Sequence, residues 1–464
     1  MTGPALSTFV GAVETASRRA GSLVVRLFED RTLIGSKRVA PTFKKASEAE
    51  RESGDLAEPL RRVSEQVALQ EEHTRAGDAE ASAEALAPSL DIGEVESREL
   101  LKALRRGGSA LRSQLTDACE NAFRAHRFLG NRADEPAITF EEEENAPHVL
   151  WDLMYDGGTT GDVRWESFWG FRVPIAHWVF ESRTDELRLR AGFFAGVHEG
   201  LPFAAREIAA VAKRLQPGTP CQSVVDYFTR FVHEGLHAAN LTADEANAWF
   251  AAHPHDWLEE FLSAGPGAPN DPGQWKHDKI IEMLRSTDTQ FDLLHFACHS
   301  APTTGLASRS ELTMKVGGET LTFDVGGMMA NLRIEITDVY APGPLVFLNA
   351  CRGIPSAQPF QPPPFATTWI NDRGALAVIS AVCPVPDYFA HAFALKYYDY
   401  LFGSSVATFA GSPVKGSLAG ALLATRRYFM ETHRNPLGLA YILYASPGAH
   451  LCSTVASAMG AADP

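Results

Sequence analysis

The nine residues Leu345–Gly353, Leu-Val-Phe-Leu-Asn-Ala-Cys-Arg-Gly, constrain this chain more than any other stretch. Four consecutive apolar side chains suit a strand covered on both faces, as in a parallel sheet with helices on either side. Open α/β sheets gather their chemistry beyond the carboxyl ends of the strands, so Ala350-Cys351-Arg352-Gly353 reads as a strand exit bearing a thiol. A second apolar run, Phe291–His299, ends in a base 52 residues upstream of Cys351. A thiol and an imidazole at neighbouring strand ends make a nucleophile and its base, here Cys351 and His299. Along the upstream strand His295, Ala297 and His299 alternate onto one face and Phe296 and Cys298 onto the other. Cys298 is then a buried neighbour instead of a second nucleophile, and His295 a structural residue lower on the active face.

Composition narrows the setting. With 464 residues and 45% apolar side chains, the chain can build one large sheet with additions or several domains. Six scattered cysteines are too few for a disulfide framework, and a thiolate nucleophile needs a reducing compartment, so a cytoplasmic location is expected. No charged-then-apolar leader opens the sequence and no apolar run reaches the roughly 18 residues of a membrane span, so no membrane association is expected. A net charge of −15 argues against direct nucleic-acid binding, which needs concentrated Lys and Arg.

Taken in order, residues 1–20 read as an amphipathic lead-in. Leu23–Phe28 and Thr32–Val39 form a hairpin around Glu29-Asp30-Arg31. Leu56, Leu60, Val63 and Val67 recur at helical spacing, as do Leu100, Leu104, Leu111, Leu115 and Phe123, with Gly107-Gly108 as a potential break. The acidic run Glu141–Glu144 reads as a solvated face, and Phe168–Val179 as core. Leu187–Val197 followed by Phe203–Leu215 is a strand and then a helix, the start of a parallel sheet. Val224–Leu262 and Trp275–Leu284 are helical by pattern, separated by the Gly- and Pro-rich stretch 265–273. Leu312–Val316 and Thr320–Val325 flank Gly317-Gly318 as a hairpin. A strand at Ala375–Val382, helices at Asp387–Phe402 and Ser417–Thr432, and a strand at Leu439–Tyr444 complete the pattern. We divide the chain into residues 1–136, an N-terminal hairpin and helical lead-in, and residues 137–464, an α/β domain with a helical insertion near 218–290.

Asn349-Ala350-Cys351-Arg352-Gly353 is similar to the caspase signature Gln-Ala-Cys-(Arg/Gln/Gly)-Gly, with Asn349 in place of glutamine and a histidine about 50 residues earlier. Residues 137–446 resemble the CHAT-domain peptidases, bacterial relatives of caspases and separase. His148–Met154 looks like the family's proline–tryptophan–glutamate–leucine segment, with Trp151 retained and Asp152 where glutamate is usual. Leu201–Leu215, Leu294–Ser300, Leu345–Gly353, Gly374–Asp387 and Ser417–Tyr428 fit successive later parts of that pattern, and Leu101–Phe128 resembles the helical lead-in. The resemblance implies a caspase-like, mostly parallel sheet flanked by helices, and a cysteine endopeptidase with a Cys351–His299 dyad and no cofactor. It also implies a specific protein substrate, an activating protein or ligand, and a regulated pathway of bacterial, including antiviral, defence or signalling. The oxyanion hole it implies uses backbone N–H groups of Ser300 and Cys351. Two positions depart from the family: Ser300 stands where glycine is usual, and Cys383 where tryptophan often is. The implied substrate pocket comprises Asn349, Ala381, Val382 and Cys383, with Asp387 at its margin. Its central residues carry no charge, so an uncharged P1 residue is expected, because burying an unpaired charge is costly.

Two other classes compete. His233-Glu234-Gly235-Leu236-His237 matches His-Glu-x-x-His, which on a helix sets two imidazoles on one face with a glutamate for zinc-bound water. That motif is short, 15 histidines are available to form it by chance, and for the third ligand it needs, Glu245, Glu259 and Glu260 are no more than candidates. No metal site is therefore assigned. A caspase-like scaffold without activity is the third reading, and the retained Cys351 and His299 weigh against it.

Overall fold

A computed structural model of the chain describes residues within the spans 8–39, 52–121, 137–198, 200–302, 310–324, 343–350 and 366–451, with shorter gaps inside several of them. Thirteen of the described strands form one mixed sheet. In chain order they are β1 (Thr8–Glu14), β2 (Ser22–Glu29), β3 (Thr32–Val39), β4 (Ala137–Glu142), β5 (Ile175–Trp178), β6 (Phe193–Val197) and β7 (Cys221–Ser223). Then come β8 (Leu293–Pro302), β9 (Ser310–Val316), β10 (Glu319–Asp324), β11 (Leu345–Ala350), β12 (Ala377–Ala381) and β13 (Tyr441–Ala445).

At the centre β11 lies between β8 and β12, parallel to both. Leu293–Cys298, residues 345–349 and Ala377–Ala381 are buried and mostly apolar, as strands covered by helices on both faces must be. β13 closes antiparallel onto β12, and parallel pairing continues through β5 and β4 to β1. On the far side of β8 two strands share its edge. β6 runs parallel to it as far as the Val197–Ala297 pair, and β9 runs antiparallel from the Thr313–His299 pair onward. The architecture is thus α/β, with a mostly parallel sheet at its centre.

The hairpin expected near the N-terminus is present as β2 and β3. Residues 8–14, expected to belong to an amphipathic lead-in, are instead strand β1, paired with both β2 and β4. Thr-Phe-Val-Gly-Ala-Val-Glu is rich in β-formers, and the open edges of β2 and β4 supply its hydrogen bonds. This pairing carries the sheet across the boundary between residues 136 and 137.

The longer helices are α1 (Ala57–Arg75), α2 (Glu94–Ser113), α3 (Ala204–Ala212), α4 (Val224–Ala238), α5 (Ala243–Ala252), α6 (Trp257–Ala264), α7 (Pro272–Arg285), α8 (Asp387–Phe402) and α9 (Leu418–His433). Leu56, Leu60, Val63 and Val67 are all buried, as their spacing requires. Gly107-Gly108 does not break α2. A side chain at Gly108 would meet the carbonyl oxygen of Leu153 at 2.2 Å, so glycine serves a close backbone approach there. α1 also reaches the other end of the sequence. The N-cap of α8 is Pro386, which has no capping side chain, and the buried carboxylate of Glu71 accepts hydrogen bonds from the N–H groups of Tyr388 (3.3 Å) and Phe389 (2.9 Å) instead. A carboxylate at a helix N-terminus satisfies orphan donors and meets the positive end of the helix dipole.

A second buried carboxylate joins the segment before β5 to the C-terminal half. Asp152 lies 2.7 Å from His177 Nε2 and forms an ion pair with Arg426 Nη1 at 2.7 Å. Arg426 donates onward to the carbonyls of Gly170 (3.2 Å) and Tyr441. Burial alone would raise the Asp152 pKa, but the Arg426 guanidinium and the His177 hydrogen bond outweigh it and hold the carboxyl at about 2. Folding thus prefers ionised Asp152. Its contribution is complete above the ordinary carboxyl pKa of about 4 and is lost as pH falls toward 2. Asp152→Asn should lower stability by about 3–5 kcal/mol, because Arg426 is left as an uncompensated buried charge. Urea titrations at pH 7 should show the loss, and the gap between variant and parent should narrow below about pH 4.

Candidate active site

Two parallel neighbours, β8 and β11, carry the segments that the sequence singles out. β8 and β11 run in parallel register from Leu293–Leu345 to Cys298–Ala350. The next residue after Cys298 is His299, which lies in β8 opposite Thr313, and Ser300 lies opposite Leu312. Their side chains, and Cys351 altogether, lie outside the described residues. β8 does not end at the base as expected from the sequence. It continues to Pro302, because β9 supplies an antiparallel partner beyond the end of β6.

The pocket residues inferred from the sequence are distributed as follows. Asn349 is only 2% exposed, and its amide is fully engaged. Nδ2 donates to Glu207 Oε1 (2.7 Å) and to the carbonyl of Ala390 (3.0 Å), while Oδ1 accepts from the Tyr441 hydroxyl (2.5 Å). Ala381 is the buried last residue of β12, and Val382 after it is half-buried. Cys383 is buried, and that burial pushes its thiol up to about 12 against the opposing charge of Arg61. Asp387 opens α8 and accepts from the Phe203 N–H at 3.3 Å.

His295 is completely buried in β8. Its Nε2 lies 2.5 Å from Glu207 Oε1 and its Nδ1 2.9 Å from the Tyr398 hydroxyl. The ring stacks on Phe347 of β11, with centroids 5.0 Å apart and planes 19° from parallel. Glu207 Oε2 is 4.0 Å from His391 Nδ1, and burial lowers the pKa of His391 although the Glu207 charge opposes it. Sequence reasoning missed Glu207, Tyr398 and Tyr441. One signal was available for Glu207: it shares a helical face with Ala204, Ile208 and Val211, all buried, and a carboxylate on an apolar face needs a partner.

The His-Glu-x-x-His segment does lie on a helix, α4. His233 packs on Phe250 at 4.5 Å, Glu234 faces Arg230 at 3.8 Å, and His237 Nδ1 is 3.4 Å from the carbonyl of Leu241. Glu245 is committed to a capping box with Thr242, and Glu259 and Glu260 are exposed in the first turn of α6. Among the described residues, no group of three or more His, Cys, Asp or Glu is arranged to hold a metal ion. None of the described helices is long and apolar enough to cross a membrane.

No protein-family model matches the chain, and no curated protein sequence does. Among solved structures it is similar to the Saccharomyces cerevisiae separase–securin complex, seen at 2.6 Å and at 3.0 Å resolution. Identity is 9% and 10%, and the TM-score is 0.39 for both. The matches cover 96% and 95% of this chain, which spans 30% of each of theirs. A likeness of that strength carries no argument about chemistry, which rests on the residues themselves.

Burial predicts that two thiols are inert. Cys298 has its thiol pushed far up by desolvation, and Cys383 shares that environment. In folded protein at pH 8, iodoacetamide should leave both unmodified, and both should react at ordinary thiol rates once the chain is unfolded. Peptide mass spectrometry after differential alkylation checks this.

Proposed function

We propose that the chain is a caspase-like cysteine endopeptidase in which Cys351 is the nucleophile and His299 its base. The observation that carries this reading is the β8–β11 register. Ala350 pairs with Cys298, so Cys351 and His299 are the next residues on the two chains. The stacked pair Phe347 and His295 lies four residues below, and the two-residue repeat of a strand, extended from that pair, supports reading Cys351 and His299 on a common face. The buried parallel centre of the sheet also supports the reading, since it leaves strand ends as the place for polar chemistry.

An ordinary thiol, with a pKa near 8.5, is only a few per cent thiolate at neutral pH, so the imidazole must take its proton. The Cys351 sulfur then attacks a peptide carbonyl carbon, and the backbone N–H groups of Ser300 and Cys351 hold the oxyanion. Collapse breaks the C–N bond as His299 returns the proton to the leaving amine. Water, deprotonated by the same imidazole, releases the acyl group from the thioester and restores the thiol. The resemblance to CHAT peptidases extends the proposal to a dedicated protein substrate, cleaved in a bacterial defence or signalling pathway after an activating protein or ligand engages the enzyme.

Cleavage-site profiling of a denatured proteome tests the dyad without a known substrate. Cys351→Ala and His299→Ala should each reduce cleavage by at least about 10³-fold, since neither member works alone. His233→Ala should leave it unchanged. Near-parental turnover in either dyad variant would refute the assignment. Activity that survives thiol alkylation and disappears with a zinc chelator would transfer the chemistry to α4.

A further inference from the structure

Two residues before Cys351 and four before His299 lies a buried polar cluster that the dyad mechanism leaves unused. Its hub is Glu207, 2% exposed, whose carboxylate faces the imidazoles of His295 and His391. The proton positions follow from the donors and acceptors. Asn349 Nδ2 can only donate, so Glu207 Oε1 is an acceptor and the hydrogen between it and His295 belongs to Nε2. Nδ1 of His295 meets the Tyr398 hydroxyl, which burial keeps protonated. Asn349 Oδ1 accepts from Tyr441. Glu207 Oε1, both ring nitrogens of His295 and the whole amide of Asn349 thus have hydrogen-bond partners within the cluster.

Such a cluster is costly. Apolar side chains of similar volume would stabilise the same space at least as well, whereas a buried carboxylate must be fully hydrogen-bonded to be tolerated. Its position suggests what it secures. The backbone ladder sets the register of β8 and β11, but β8 changes its other neighbour between Ala297 and His299, where β6 stops and β9 begins. The hand-over between the two neighbours thus falls at Cys298, the residue before the base. One carboxylate oxygen binds a side chain from each strand within four residues of that point.

We propose that Glu207, with His295 and Asn349, is a positioning unit that ties β8 to β11 so that the His299 and Cys351 side chains emerge within hydrogen-bond reach of each other. The proposal rests on the dyad reading above. Glu207 touches neither the substrate nor the reacting atoms, and its effect should appear in how readily Cys351 gives up its proton.

The test is site-resolved alkylation of Cys351 with iodoacetamide in the full chain from pH 5 to 9, read by peptide mass spectrometry. In the parent protein Cys351 should react with an apparent pKa below the usual 8.5 or so, and His299→Ala should return it to that value. Glu207→Ala should raise the apparent pKa by about one unit, which slows alkylation at pH 6 about tenfold. Glu207→Gln keeps an oxygen for both N–H donors and turns its NH₂ toward His391 Nδ1, so it should restore the rate to within about twofold of the parent. Tyr398→Phe removes only the hydroxyl that orients His295. It should slow the reaction about threefold, and it carries the test if Glu207→Ala fails to fold. Leu236→Ala, a cavity variant in α4 away from the cluster, controls for general destabilisation and should not shift the profile. If His299→Ala leaves the profile unchanged, the dyad reading fails. If His299→Ala shifts it while Glu207→Ala or Tyr398→Phe does not, or if Leu236→Ala shifts it equally, the dyad stands and the positioning unit is rejected.

Discussion

Everything at the site rests on the parallel pairing of Leu345–Ala350 with Leu293–Cys298. Parallel strands cannot be joined by a tight turn, so the two come together only after a long excursion through β9 and β10 and the chain up to residue 343. Because both are buried on both faces, a slip of one residue would move every side chain to the wrong layer, and register is strongly specified. A thiol and an imidazole 52 residues apart in sequence are thereby the residues that follow a single rung, Ala350–Cys298. The same constraint brings Asn349 and His295 within reach of one carboxylate.

Two buried carboxylates, Glu207 and Asp152, meet at Tyr441. Its hydroxyl donates to Asn349 beside Glu207, and its carbonyl accepts from the Arg426 that pairs with Asp152. The ring also stacks on Phe393 of α8, with centroids 4.0 Å apart and planes 5° from parallel. This first residue of β13 is thus held on three sides, by β11, α8 and α9. Aromatic stacking of that closeness fixes ring orientation, which a hydroxyl needs if it is to meet a single acceptor.

What could be read from the sequence was whatever a short window contains. Continuous apolar runs marked β8, β11, β12 and β13, and four-residue spacing marked α1, because burial on two faces or one stripe leaves a local trace. The pairing of His299 with Cys351 was drawn from strand ends and family likeness, and the structure adds the rung below it. Residues 8–14 were misread because a short strand with Gly and Ala among its residues has little periodicity, and its partners lie in other segments. Gly107-Gly108 was misread because propensity tables cannot see Leu153 approaching from 45 residues away. Glu207 went unnoticed for the same reason: its partners lie 88 and 142 residues downstream, and only the folded sheet brings them together.

The Glu71 cap on α8 bears on how the protein comes to be made. It joins residues 317 and 318 positions apart, so a ribosome has finished most of the chain before the helix it completes exists. Contacts of such long separation close late, after the loop entropy between them has been lost. Until then α1 carries, beside the apolar face of Leu60, Val63 and Val67, a carboxylate that caps a helix not yet made. During synthesis this helix must wait in water or be sheltered by other factors until α8 is made, and α8 also brings Tyr398 and the Ala390 carbonyl to the Glu207 cluster.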